Sequence, residues 1–100
     1  YPREKLLSAL ATFGEEHGRT DEDGLVWPSD SSITMAYRLI DTFSDDPAVP
    51  LPEYTVPNGD GGILFEWNRG PSAIHIEIDE HGSMELVTYQ DGMTVLAETF

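Results

Sequence analysis

From residue 62 onward the chain alternates apolar and polar side chains, a period of two that suits a strand exposed on one face and not a helix. Ile63, Phe65 and Trp67 alternate with Leu64, Glu66 and Asn68. Past Gly70 and Pro71, Ile74, Ile76 and Ile78 alternate with His75, Glu77 and Asp79. Short turn sequences close each run: "DEHGS" leads into "MELVTY", and Asp91-Gly92, a two-residue hairpin signal, leads into "MTVLAETF". The pattern predicts strands over about 62–68, 73–79, 83–89 and 93–99, joined as an antiparallel meander. Ile63, Phe65, Trp67, Ile74, Ile76 and Ile78 are its expected core face.

The first half carries the other period. "PREKLLSALATFGEEH" starts with Pro2, tolerated in a first helical turn, and places Leu6, Leu10, Phe13 and His17 on one stripe. A helix is predicted over about 3–17, ending near Gly18. "RTDEDGLVWP" reads as a loop whose Leu25, Val26 and Trp27 fold back onto the core. Ser29 and Asp30 are both good N-caps for a second helix over about 30–44, with Ile33, Ala36, Tyr37, Ile40 and Phe43 at helical spacing. Pro47, Pro50, Pro52 and Pro57 then limit the connector to an extended crossover and one short edge strand, about 53–57. Two helices and a meander bury their apolar faces only against each other. The expected fold is a single α+β domain over residues 1–100, with two N-terminal helices packed on one face of a three- to five-stranded antiparallel meander sheet.

The chain has 100 residues, enough for one core of its own. Nineteen acids against five bases give a net charge of −14. Such a charge disfavours direct nucleic-acid binding, which draws its affinity from Lys and Arg on phosphates, and it is repelled by anionic membranes. The complementary partner is a basic protein surface. There is no cysteine, and hence no disulfide or thiolate chemistry. No long apolar run and no signal-peptide pattern is visible, and the cytoplasm is the expected location. The chain begins at Tyr1 rather than Met, which fits a trimmed or processed product or a piece of something longer.

Strict alternation collects Leu64, Glu66, His75, Glu77, Asp79, Glu85, Val87, Tyr89, Leu96 and Glu98 on the other sheet face. His75 between Glu66 and Glu77 is the one constellation with the chemistry of a metal site or of a base and its orienter. No second histidine is placed to close it, and a solvated face with a His–carboxylate pair is the simpler reading. "RTDEDG" and "VPNGDG" resemble calcium loops only in part: Arg19 falls at the first ligand position of one, and Val56 and Trp67 at the first and last of the other. Turns explain both. His17 and His81 stand alone, and no serine sits in a nucleophile-elbow sequence. No catalytic residue, metal ligand or cofactor is expected.

The stretches "DGLVWPSDSSITMAYRLID", "VPLPEYTVPNGDGGILFEW" and "AIHIEID" resemble a group of small bacterial proteins of no established activity. Those share a Gly-and-aromatic loop, a helix, a proline-bounded segment and a hairpin of the form D-G-G-I-x-[LF]-E-W. The likeness covers about residues 23–89, with Asp60 to Trp67 its most specific part, and implies organisation only. The strand "MTVLAETF" is a departure from it. The expected function is a small acidic, non-enzymatic protein-binding module, antitoxin-like, inhibitor or adaptor. Its candidate contact residues are Trp27, Leu64, Glu66, His75, Glu77, Asp79, Glu85, Tyr89 and Leu96, and its terminal strand is a candidate for pairing with a second copy. One alternative is a nucleic-acid mimic of the anti-defence kind; the other is a metal-binding or hydrolytic protein using His75 with Glu66 and Glu77.

Overall fold

The computed structural model describes residues 2–15, 19–91 and 93–99, without the side chains of residues 2, 69 and 95–99. Two helices precede five strands: α1 (Pro2–Glu15), α2 (Asp30–Asp45), β1 (Tyr54–Pro57), β2 (Ile63–Arg69), β3 (Ser72–Ile78), β4 (Met84–Gln90) and β5 (Met93–Thr99). The strands form one sheet in the order β1-β2-β3-β4-β5, every neighbouring pair antiparallel. The fold is the α+β meander that the patterning predicts. The expected end of the first helix near His17 and Gly18 lies outside the described residues.

Each element follows from local chemistry. Ser29 caps α2: its backbone is extended (φ −75°, ψ 165°) and its hydroxyl accepts the Ser32 N–H at 3.2 Å. Of the two expected caps, Ser29 takes the position, while Asp30 enters the first turn, where a negative charge is favoured by the helix dipole. Ser32 is fully buried, yet its hydroxyl donates to the Ser29 carbonyl at 2.9 Å. At the last hairpin Gln90 pairs with Met93 and Asp91 adopts φ 52°, the left-handed conformation that a two-residue turn demands.

The core joins Leu6, Leu10 and Phe13 of α1 to Ile33, Ala36 and Ile40 of α2 and to Ile63, Phe65, Trp67 and Ile78 of the sheet. Trp67 belongs to it fully: Phe43 meets its ring edge-on at 5.5 Å, and its indole N–H donates to the Pro50 carbonyl at 2.9 Å. That bond ties the proline-rich connector to the sheet. Two expectations about the core are corrected. Ile74 lies on the core face, opposite Trp67, but is 38% exposed. The reason is the extent of the helix layer: α1 packs on β1 and α2 on β2 and β3, and among the described hydrophobic residues of β4 only Met84, opposite Ile78, packs against the core, while the other end of that ladder, where Ile74 faces Thr88, does not. Leu25 is 52% exposed, because the turn that holds it directs it over Gly59 rather than inward; Trp27 alone of that trio joins the partly buried shell of the core.

Thr55 faces the core from β1, and its Oγ1 is buried without a hydrogen-bond partner. An orphaned buried hydroxyl costs about 1–3 kcal/mol relative to an apolar group of the same shape. Thr55→Val is therefore expected to raise stability by about 1 kcal/mol in a denaturant titration, and a loss of stability would show that the hydroxyl does have a partner in solution.

Candidate interaction surface

The helices cover one side of the sheet and leave the other open. Residues directly opposite on antiparallel strands point to the same side, so the register sorts the open face into rows. One row runs Val56, Leu64, Glu77, Glu85; the next runs Tyr54, Glu66, His75, Val87; a third holds Asn68, Ala73 and Tyr89. Six predicted contact residues, Leu64, Glu66, His75, Glu77, Glu85 and Tyr89, thus share this face. Leu64, Glu66, His75, Val87 and Tyr89 are half-buried among their neighbours, while Tyr54 and Val56 are exposed.

His75 is the centre of the face. Its Nε2 lies 3.6 Å from Glu66 Oε1, and its ring lies against Tyr89 with centroids 4.8 Å apart. Glu77 does not converge on it. Its Oε2 accepts from Asn58 Nδ2 at 3.3 Å instead. Among the described residues no three His, Asp or Glu groups come together in an arrangement that could hold a metal ion. Glu77 and Glu85 stand directly opposite each other on adjacent strands, a like-charge pair that disfavours the isolated sheet. The described side chains of this face include no Lys or Arg: Arg3 and Lys5 belong to α1, Arg19 to the loop between α1 and α2, and Arg38 to α2, while the side chain of Arg69 lies outside the described residues.

The remaining predicted residues are placed differently. Asp79 is not a face residue but the first residue of the turn after β3, where its Oδ1 accepts the His81 and Ser83 N–H groups, both at 2.9 Å. Trp27 sits away from the face, in the loop before α2, with its ring 6.2 Å from Phe13. Leu96 pairs with Thr88, and Glu98 with Leu86, after a register shift at Thr88/Tyr89. That irregularity moves both positions out of the open-face rows and into the ladder shared with the core side; their side chains lie outside the described residues. Strict alternation across the last hairpin had concealed the shift.

One local device went unread in the sequence. "DEDGL", "NGDGG" and "DEHGS" fold into the same five-residue loop. In each, the side-chain oxygen of the first residue (Asp21, Asn58 or Asp79) accepts the N–H groups two and four residues on, at 2.8–2.9 Å. The fourth residue is a glycine with positive φ: Gly24 at 83°, Gly61 at 87°, Gly82 at 84°. The signal was legible as an Asp or Asn three residues before a glycine. It accounts for both loops that resemble calcium sites, since the oxygen that would bind an ion already binds backbone. The loops also dock together: Val26 N–H donates to the Gly59 carbonyl at 2.8 Å, and Ser29 Oγ to the Glu80 carbonyl at 2.6 Å. The outcome is a braced end of the sheet, from which Asn58 steadies Glu77 on the open face.

No helix among the described residues is long and apolar enough to cross a membrane. Comparison with protein-family models, curated proteins and solved structures finds no match to this chain.

Proposed function

We propose that the chain is a non-enzymatic protein-binding module, of the inhibitor, antitoxin-like or adaptor kind, that engages a basic protein through the open face of its sheet. The observation that carries this reading is the composition of that face: half-buried Leu64, Val87 and Tyr89 interleaved with Glu66, Glu77 and Glu85, and no Lys or Arg among its described side chains. Aromatic and aliphatic anchors supply contact area, and the acids steer encounter and reject acidic competitors. The opposed Glu77 and Glu85 favour a cationic group laid between them, which removes their mutual repulsion.

Affinity capture from the native host is the test. A basic protein is expected to be retained at about 50 mM salt and largely released at about 500 mM, because exposed charge pairs are screened over that range. Competition by duplex DNA separates the two acidic readings: a mimic occupies its partner's phosphate channel and is displaced, whereas a module bound elsewhere on the partner is not. Failure to retain any basic protein at low salt contradicts the reading.

A further inference from the structure

We propose that the cleft between α1 and the connector into β1 binds a free apolar α-amino acid, with its carboxylate at Lys5, its ammonium at Glu53 and its side chain against the aliphatic walls. The cleft has a volume of about 440 Å³, within the range of small-ligand sites, and its walls are Leu6 and Ala9 on one side and Leu51 and Pro52 on the other. The helix supplies one wall by spacing. Leu6 and Leu10 turn into the core, while Lys5 and Ala9, four residues apart, share the adjoining flank of α1, where Ala9 offers only a methyl group. The opposite wall is fixed before any ligand arrives: Pro52 is fully buried, and the Trp67 indole N–H holds the Pro50 carbonyl at 2.9 Å.

Two opposite charges line this cleft without meeting. Of the two cations on α1, Arg3 is engaged with Asp41 and Ser44 of α2, whereas the Lys5 ammonium makes no ion pair or hydrogen bond with Glu53 or with any other described residue. Glu53 is anchored from the sheet. Its N–H donates to the Glu66 carbonyl at 2.8 Å and its Oε1 accepts the Asn68 N–H at 3.2 Å, which leaves Oε2 without a hydrogen bond among the described residues.

Charge selects the ligand. A chain of net charge −14 repels a free anion, and it offers a free cation carboxylates over the whole surface. A zwitterion has no net charge to be repelled or diverted, and it satisfies an ammonium and a carboxylate held apart on one apolar cleft. Because the cleft lies on the helix side of the sheet, this inference and partner binding through the open face hold or fail independently.

Titration of the isotopically labelled chain with L-leucine, read from backbone amide NMR shifts, tests the proposal. Saturable shifts are expected over residues 5–9 and 51–55, with a Kd of about 1 mM or tighter, an affinity within reach of a ligand of this size. Isoamylamine is leucine without its carboxylate, and isocaproate is leucine without its ammonium. Both, and glycine, which lacks the apolar body, are expected to bind at least about tenfold more weakly. Lys5→Met keeps the length of an exposed side chain and removes its charge; it is expected to weaken leucine about tenfold without weakening isoamylamine. Glu53→Gln is expected to weaken leucine without weakening isocaproate. Should either variant lose its fold, the analogue series on the unaltered chain decides. No saturable shift up to about 20 mM leucine, shifts centred away from the cleft, an analogue that binds as tightly as leucine, or a folded Lys5→Met variant of undiminished affinity overturns the proposal.

Discussion

Phe65→Ala is expected to lower the unfolding free energy by about 3–5 kcal/mol, the range for deleting a fully buried aromatic ring. Phe65 is 0% exposed at the middle of β2, between Thr55 and Ile76 on the neighbouring strands and beneath the helices. Its removal leaves a cavity at the junction of both layers, which the helices fill only by leaving their seats on β1 to β3. Domains of this size are stable by about 5–15 kcal/mol, so the variant approaches the unfolding threshold at physiological temperature. A urea titration measures it. A loss below about 1 kcal/mol would mean that the helices do not rest on this face.

The second large effect comes from a single methyl group. A Cβ at Gly62 meets the Ile78 carbonyl oxygen and the Asn58 side-chain amide at less than contact distance. One of these neighbours is backbone and the other is fixed by its bonds to Asp60 N–H, Gly62 N–H and Glu77, so neither yields cheaply. Gly62→Ala is expected to destabilise by about 2–4 kcal/mol, at or above the usual cost of overpacking, because it separates β2 from the end of β3 and frees the Asn58 loop together. Thermal unfolding is expected to shift down by roughly 10–20 °C, given about 4–8 °C per kcal/mol for a domain of this length. Gly14→Ala, where nothing lies within 4 Å of the added carbon, is the matched control and leaves the midpoint unchanged or slightly higher. Equal shifts for the two variants would contradict the close approach at Gly62.

Most of the architecture was legible because it rests on period and punctuation. The alternation from Ile63 to Ile78 and the stripe from Ile33 to Ile40 each satisfy only one regular structure, and Ser29 and Asp91 mark their ends by local chemistry. What could not be read was extent. Nothing in Ile74 itself distinguishes it from Ile78; the difference is that the helices reach one and not the other. The open face was legible for the same reason as the core, since alternation that buries Phe65 must turn Glu66 and Leu64 away. It failed at Leu96 and Glu98, where a register shift between strands reverses the alternation and no glycine or proline announces it. It failed at Asp79 as well, because a turn carboxylate and a face carboxylate look identical until the backbone donors are located. Asn58, which braces two loops and orients Glu77, was hidden inside a turn sequence that needs no further explanation.

The most direct test of the open face as the contact surface is the affinity of the captured basic partner for three forms of the chain. The first is unaltered, the second is Glu77→Gln with Glu85→Gln, and the third removes the same charge from the helix side through Glu4→Gln with Glu15→Gln, both exposed on α1. The open-face pair is expected to weaken binding at least about tenfold, about 1.4 kcal/mol, and to flatten its salt dependence, while the helix-side pair stays within about twofold. Equal weakening by both pairs would show that net charge alone attracts the partner, and no weakening by the open-face pair would show that the partner binds elsewhere.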